Sequence, residues 1–203
     1  MRERKRLERS DAIVDAATEL FRGKGYEGTT MEEIAERADV SAPTLYRYFP
    51  TKAALLTAFF WKARDRRAGM LDDYFKKSAT LDPVAAISGL LLLNNRSVGS
   101  RKDRKLWRES MGALLRIHDQ AYDEFRLIKQ EFENRIEEML EPLLDLSLIS
   151  KDTPIPSMVA VLYAVANENF NRMIANEFKT LEDEKQAMDR QVELVLRGWL
   201  AQP

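Results

Sequence analysis

Residues 29–52 of this 203-residue chain read TTMEEIAERADVSAPTLYRYFPTK. Thr29 or Thr30 can cap a short helix at its start, and Glu32 and Glu33 then fall in the first turn, where the helix dipole favours carboxylates. Small or apolar side chains recur at helical spacing on the side that we expect to face inward, at Met31, Ile34, Ala35 and Ala38. The first half of the stretch therefore predicts a short helix.

A second short helix is predicted over about 42–48. Ser41 is a good N-cap, and Pro43 falls within the first turn, where a helix tolerates proline. Phe49-Pro50 ends this helix, because the residue before a proline is disfavoured in the helical conformation. Two short helices joined by a tight turn form a helix-turn-helix. Its core would be supplied by Ile34, Val40 and Leu45.

The outer face of the second helix carries side chains suited to DNA. Short apolar groups can touch thymine methyls, hydroxyls can bond phosphates, and an arginine can reach a guanine edge. The residues of this face are Ala42, Pro43, Thr44, Tyr46, Arg47 and Tyr48. The alternative is a three-helix packing unit with an ordinary solvent-exposed face, and two exposed tyrosines flanking an arginine argue against it.

Helical patterns extend from this stretch in both directions. Upstream, an apolar stripe predicts a helix over about 11–23, ended by a glycine-rich loop at 23–28. Downstream, a segment without Pro or Gly until residue 69 predicts a long helix over about 51–77. This helix would contact the DNA-binding part at one end and the larger remaining part at the other, so it could transmit a movement between them. Five more helices are predicted over about 83–93, 102–118, 120–145, 154–177 and 181–201. With 25 Leu and 22 Ala against 9 Val and 9 Ile, the composition also favours an all-α fold.

The composition excludes several kinds of chemistry. Without Cys there is no disulfide, no thiol nucleophile and no Cys-based zinc site, and a single histidine, His118, rules out His-pair metal motifs. We therefore expect no metal and no cofactor. The N-terminus MRERKRLERS lacks the apolar region of a secretory signal, and the longest apolar stretch, residues 84–93, is shorter than the roughly 20 residues that span a bilayer. These features predict a cytoplasmic protein with no membrane partner.

Charge is distributed unevenly along the chain. Residues 1–67 hold 14 Lys and Arg against 11 Asp and Glu, whereas residues 68–203 hold 18 against 22. A weakly acidic protein with a basic end can bind a polyanion through that end, although a solvated charged surface is the alternative. The basic residues within 1–9 would attract DNA or enter a minor groove, or form a disordered arm. A second basic cluster comprises Arg101, Lys102, Arg104, Lys105 and Arg108. We expect it to be a solvated helix face, and the alternative is that it contacts the phosphates of a coenzyme A ester.

The stretch 29–52 resembles the DNA-binding signature of the tetracycline-repressor (TetR) family of regulators. Upstream, Ala16-Ala17, Leu20-Phe21 and Gly25-Tyr26 match the first helix and turn of that family, so the resemblance spans about residues 10–60. The family usually has glycine where this chain has Asp39. Aspartate tolerates the left-handed backbone conformation better than most residues, so we expect the turn to be kept.

The resemblance implies two domains and a set of DNA contacts. A DNA-binding helix-turn-helix domain would occupy residues 1–50, and a linker helix with a ligand-binding and dimerisation domain would occupy residues 51–203. Contacts with the phosphate backbone of DNA are implied for Thr30, Thr44, Tyr46, Tyr48 and Lys52. Base contacts are implied for Ala42 and Pro43, and Arg47 is expected at a base edge, with a phosphate as its alternative.

The resemblance also implies a four-helix dimer interface formed by the last two long helices. The expected residues are Ala160, Val161, Ala164, Val165, Val192, Leu196 and Trp199. The alternative is that these apolar positions fill the core of the monomer. Dimerisation has an independent reason, because a twofold pair reads two half-sites roughly 34 Å apart, whereas a lone helix-turn-helix makes few contacts.

A regulator that responds to a small molecule needs a cavity lined by apolar and aromatic groups with a few polar anchors. The candidate lining residues are Asn94, Trp107, Met111, His118, Tyr122, Phe125, Tyr163, Asn167 and Phe170. Each of them could instead pack in the core, and the histidine could lie at the surface or at a helix end.

Together these features predict a homodimeric transcriptional repressor that binds a palindromic DNA operator and is released by a small, largely apolar effector. The sequence does not show whether the effector weakens or strengthens DNA binding. An activator, or a repressor that needs a corepressor, is therefore an alternative. A DNA-binding protein without an effector is another. A helical enzyme is the remaining one, but carboxylates such as Glu109, Asp119 and Glu124 carry no recognisable motif, so we predict no catalytic residue.

Overall fold

The chain is mostly helical. A computed structural model describes residues 1–78, 82–98, 100–114, 116, 120–178 and 180–199. Within these ranges lie a short 3-10 helix, Arg96–Val98, and nine α-helices: α1 (Arg2–Lys24), α2 (Met31–Arg37), α3 (Ala42–Tyr48), α4 (Lys52–Ser78), α5 (Pro83–Leu93), α6 (Arg101–Leu114), α7 (Gln120–Asp145), α8 (Ile155–Ile174) and α9 (Leu181–Leu196). The prediction of an all-α protein with about nine helices is confirmed.

Two compact units make up the chain. The head unit comprises residues 1–64 and 100–126, and the bundle unit comprises residues 65–99 and 127–203. Helices α4 and α7 therefore contribute residues to both units. The head unit extends beyond the predicted DNA-binding domain, residues 1–50, because α6 packs against α1. A functional boundary at residue 50 stays a prediction.

The helix-turn-helix lies in the head unit. Its core is formed by side chains that are at most 1% exposed, among them Ile13, Phe21, Ile34 and Leu45. The turn between α2 and α3 places Asp39 at a φ of 52°, so the left-handed turn expected at this position is present. Helix α2 buries Met31, Ile34 and Ala35, helix α3 buries Leu45, and a side-chain cap is present at the start of each.

Helix α1 begins at Arg2, not near residue 11 as the apolar pattern predicts. Residues 2–9 are mainly Arg, Lys, Glu and Leu, which favour helices. Arg4 and Glu8 also pair across one turn, with 3.3 Å between Nε and Oε1. The basic residues at the N-terminus therefore continue the helix, and the disordered arm considered from the sequence is not observed. The apolar stripe from Ile13 marks where α1 enters the core.

Helices α5, α8 and α9 pack together in the bundle unit. Side chains with 0% exposure in this core include Ile87, Leu90, Ile136, Leu162 and Val192. Helix α8 ends at Ile174 and α9 at Leu196, earlier than the predicted ends near 177 and 201. Asn176 has a φ of 63°, a left-handed conformation that terminates helices, which explains the earlier end of α8.

Candidate nucleic-acid interface

Thr30 caps α2 with both hydrogen bonds of a capping box. The Glu33 backbone N–H donates to Thr30 Oγ1 over 3.2 Å, and the Thr30 backbone N–H donates to Glu33 Oε2 over 3.1 Å. Hydrogen bonds from Lys24 and from the Thr30 backbone lower the pKa of Glu33. Because Oγ1 acts as an acceptor in this cap, the exposed Thr30 hydroxyl keeps a proton that it can donate to a phosphate.

Leu45 determines which face of α3 is exposed, because it is the side chain of this seven-residue helix that enters the core. The predicted contact residues therefore all remain at least partly accessible. Pro43, Tyr46 and Arg47 are exposed, and Ala42, Thr44 and Tyr48 are half-buried. The structure thus brings these six residues together on one short helix, and their contacts with DNA stay a prediction.

Tyr46 is hydrogen-bonded to α2. Its hydroxyl donates to Glu32 Oε1 over 3.3 Å, while the residue remains 43% exposed. Partial desolvation and the neighbouring Glu32 carboxylate raise the pKa of Tyr46. Sequence reasoning missed this role of Glu32, because a turn and fourteen positions separate the two residues. The only sequence signal for this contact was the acidic first turn of α2. That turn had been attributed to the favourable interaction of carboxylates with the helix dipole.

Two further contacts order the recognition face of α3. The Ser41 hydroxyl donates to Thr44 Oγ1 over 2.9 Å. The guanidinium carbon of Arg47 lies 5.8 Å from the ring centroid of Tyr48, within the range of a cation–π contact. Since Arg47 is exposed, its guanidinium can still donate to a base edge or a phosphate.

Lys52, the first residue of α4, binds backbone carbonyls of the turn between α1 and α2. Its Nζ donates to the carbonyl oxygens of Tyr26 over 2.8 Å, Thr29 over 3.0 Å and Glu27 over 3.4 Å. The same nitrogen lies 4.6 Å from the ring centroid of Tyr26, which is buried against Phe21. The phosphate contact implied for Lys52 stays a prediction, and what the structure shows is a link between two elements of the head unit.

Helix α6 contacts the end of α1. Arg22 Nε lies 2.9 Å from Asp103 Oδ1 in a partly buried ion pair. Gly25 has a φ of 87°, and a Cβ at this position would collide with the Glu109 carboxylate. The positive φ is what favours glycine here, because the far end of the flexible Glu109 side chain can move aside.

The basic cluster on α6 lies in the head unit. Four of its members are exposed, namely Arg101, Lys102, Lys105 and Arg108. Beyond the end of α6, Arg116 Nη2 lies 2.7 Å from Glu27 Oε1 in an exposed ion pair. The two roles considered for the cluster stay predictions.

The candidate ligand-lining residues belong to both units. Trp107, Met111 and Phe125 are in the head unit, where the Trp107 ring packs 5.1 and 5.5 Å from the rings of Phe59 and Phe60. Asn94, Tyr163, Asn167 and Phe170 are in the bundle unit. His118 and the side chain of Tyr122 lie outside the described residues.

Within the bundle unit, the four candidates have different surroundings. Asn94 Oδ1 accepts a hydrogen bond from Arg67 Nη1 over 2.6 Å, and the Tyr163 ring lies 6.4 Å from that of Phe132. Asn167 is exposed on α8, so it is a surface residue of this unit and not part of its interior. A groove of about 190 Å³ between α7 and α8 contains none of the four; its lining is Gln130, Glu133, Asn134, Glu137, Pro156, Val159 and Ala160.

The predicted interface residues separate by exposure. Ala160, Val161 and Ala164 are exposed on α8, Val161 by 47%. Val165 and Trp199 pack partly buried against the bundle core. Val192 and Leu196 have 0% exposure inside it, so they cannot reach a second chain and are core residues. The exposed face of α8 is the part of the predicted interface that remains available.

Metal clusters and membrane-spanning helices are both absent from the part of the chain that the structure describes. Among the described residues, no group of three or more His, Cys, Asp or Glu side chains is arranged to hold a metal ion. In the same ranges, none of the helices combines the length and the apolar character needed to cross a membrane.

Residues 13–59 match the model of a family described as bacterial regulatory proteins, tetR family. Over 51 residues the chain is 51% identical to the HTH-type transcriptional repressor KstR of Rhodococcus jostii, and this match covers 25% of the chain and 24% of that protein. The match thus spans about a quarter of the length of this curated relative.

Solved structures resemble the fold over nearly the whole chain. A putative TetR-family transcriptional regulator from Mesorhizobium loti superposes with a TM-score of 0.78 at 19% identity, covering 96% of this chain and 98% of that one. The transcriptional regulator FadR from Bacillus subtilis, in complex with stearoyl-CoA, superposes with a TM-score of 0.71 at 16% identity, covering 92% and 97%. At these identities the similarity establishes the fold.

Proposed function

The chain belongs to the tetR family of bacterial regulatory proteins by its N-terminal domain, and from this premise we propose that it is a homodimeric transcriptional repressor released from operator DNA by a small molecule. The observation that carries the proposal is the exposed face of α3. That face is fixed by the buried Leu45 behind it and by the capped starts of α2 and α3.

In this proposal α3 enters the major groove, as the second helix of a helix-turn-helix does. Arg47 reads a base edge, and Ala42 and Pro43 approach bases from the start of the helix. Thr30 and the other hydroxyl-bearing contact residues, Thr44, Tyr46 and Tyr48, hold the phosphate backbone. Such polar contacts fix the register of the helix, and the base contacts give it sequence preference.

A palindromic operator follows from a twofold dimer. One head unit covers one half-site, and two half-sites about one helical turn apart need two head units. The exposed face of α8, with Ala160, Val161 and Ala164, supports a dimer, because small side chains allow two helices to approach closely.

An effector response is supported by the two helices, α4 and α7, that belong partly to the head unit and partly to the bundle unit. Since α4 and α7 supply residues to both units, a ligand that displaces either helix in the bundle unit also acts on the head unit. The bundle core is apolar, and the B. subtilis FadR structure of similar fold holds stearoyl-CoA. We therefore propose a largely apolar effector. A coupling of about 1–3 kcal/mol between effector and operator would be typical.

The DNA-binding proposal is tested by selecting duplexes from a random library with the purified chain at low ionic strength. We expect enrichment of a palindrome with two half-sites and tighter binding to it than to a scrambled duplex of the same composition. Enrichment of no sequence would contradict the proposal. Operator binding that no acyl thioester, fatty acid or aromatic acid changes would instead favour a DNA-binding protein without an effector.

A further inference from the structure

We propose that Lys52 is a positioning residue of the DNA-binding surface and not one of its phosphate ligands. The inference rests on the proposed DNA binding and concerns how the surface is kept in shape. The Lys52 ammonium group lies where α4 meets the turn between α1 and α2.

The ammonium group of Lys52 is already satisfied within the protein. A lysine ammonium has three N–H donors, and three backbone carbonyls accept from it, those of Tyr26, Thr29 and Glu27. The Tyr26 ring adds a cation–π contact at 4.6 Å. A phosphate could bind this nitrogen only by displacing such partners. Because Thr29 is 1% exposed, its carbonyl would then lose a partner that water does not readily replace.

The carbonyls that Lys52 binds belong to the residues directly before α2. Thr29 precedes Thr30, the N-cap of α2, and Tyr26 is fixed in the head core against Phe21. Lys52 thereby ties the first residue of α4 to the start of α2. Without this link the turn can move, and Thr30 is no longer held in the position required to meet a phosphate.

Arginine at position 52 separates the two roles. A guanidinium is a planar fork that pairs with phosphate at least as well as an ammonium does, so Lys52→Arg preserves a phosphate contact. The same fork cannot direct three donors from one atom at three converging carbonyls. A positioning role therefore predicts that Lys52→Arg is as defective as Lys52→Met, whereas a phosphate role predicts that it is close to wild type.

Salt dependence provides the second distinction. Each phosphate that a protein neutralises adds about 0.9 to the slope of log affinity against log salt. We expect Lys52→Met and Lys52→Arg to lower operator affinity by about tenfold or more, with the wild-type slope. The full-length variants are compared on the selected operator between about 50 and 200 mM salt. Lys151→Met, which removes an exposed lysine of the bundle unit, is the matched control for loss of one charge.

Three outcomes would overturn the inference: wild-type affinity of Lys52→Arg, wild-type affinity of Lys52→Met, or a slope lowered by about 0.9 in Lys52→Met. If Lys52→Met does not fold, as judged by circular dichroism, Lys52→Arg carries the comparison.

Amide hydrogen exchange of the free protein tests the link without DNA. We expect both variants to exchange the backbone amides of residues 27–33 faster than wild type, which loss of a phosphate ligand would not cause. Unchanged exchange contradicts the inference even where no operator is found. Faster exchange without any operator supports the link and assigns the failure to the proposed function.

Discussion

Arg47 is the side chain on which, in our proposal, the sequence preference of α3 depends. It is exposed and stacked near Tyr48, so its guanidinium can reach a guanine edge without leaving the helix surface. We expect Arg47→Ala to cost about 1–3 kcal/mol on the selected operator and much less on a scrambled duplex. Competition binding on the two duplexes measures the difference.

The control for this change is Arg37→Ala on α2, which removes an exposed arginine that pairs with Glu19. It should change affinity for both duplexes by little. An equal loss on operator and scrambled DNA for Arg47→Ala would assign Arg47 to phosphate contact and remove it from base reading.

Glu32 opposes the proposed contact of Tyr46 with a phosphate. The Tyr46 hydroxyl donates to Glu32 in the free protein, and the carboxylate itself repels phosphate. Removing the negative charge with Glu32→Gln should therefore raise affinity on all duplexes by up to about fivefold, a small change because the contact is exposed to solvent. The gain should shrink in a Tyr46→Phe background, where no hydroxyl can be released to the phosphate.

A double-mutant cycle of Glu32→Gln with Tyr46→Phe isolates this coupling. Glu36→Gln, an exposed acid of the same helix, controls for the change in net charge. The same gain in both backgrounds would mean that Glu32 acts by charge alone.

Some contacts of these residues could be predicted from the sequence, and others could not. Ser41 and Thr30 could be predicted as caps because a cap depends on side-chain identity at a fixed position in the chain. The partners of Lys52 are carbonyl groups, which every residue carries, so no residue type signals them. The Tyr46 to Glu32 contact depends on how two helices cross, and the sequence pattern does not give that angle.

Helices with explicit end signals were predicted best. The bounds of α3 agree with the prediction because Ser41, Pro43 and Phe49-Pro50 mark both of its ends. The start of α1 was placed too late because the prediction followed the apolar stripe, and a helix can continue beyond the face that it buries. The two compact units depend on packing between distant helices, which periodicity does not report.

Packing of α4 on α5 in the bundle unit depends on Tyr74. Its hydroxyl donates to the carbonyl oxygens of Ala85 over 3.1 Å and Ala86 over 2.8 Å, and it lies where a Cβ of Gly89 would be. Burial, with smaller effects of Asp189 and Asp82, raises the pKa of Tyr74 to about 12. The folded protein therefore favours the neutral phenol more than the unfolded chain does.

The pH dependence of stability follows from this shift. The contribution of neutral Tyr74 is complete below the ordinary tyrosine pKa of about 10 and is lost as the pH rises from there towards 12. We expect the free energy of unfolding, measured with urea, to fall between pH 9.5 and about 11.5, and to fall less in Tyr74→Phe. Tyr48→Phe in the head unit is the control. An identical pH profile in wild type and Tyr74→Phe would exclude this role.

At the scale of the whole molecule, apolar periodicity could not separate core positions from positions that face a second chain. Val192 and Val161 both recur at helical spacing, yet the first has 0% exposure and the second 47%. A helix that buries one face in its own protomer and another in a partner shows apolar residues on both. The three-dimensional structure is needed to divide them, and it leaves Ala160, Val161 and Ala164 on the exposed face of α8.

The proposed dimer is tested by placing a charge on that face. In a dimer formed through α8, Val161→Arg buries an unpaired guanidinium, whose desolvation costs several kcal/mol. We expect a monomer by sedimentation and a loss of operator affinity of about a hundredfold or more, since the two head units no longer bind as one. Leu127→Arg on α7 is the matched control, because Leu127 is an apolar residue of the same unit with 56% exposure. A dimeric Val161→Arg with wild-type affinity would move the interface away from α8, whereas a monomer that still bound the full palindrome tightly would contradict twofold recognition itself.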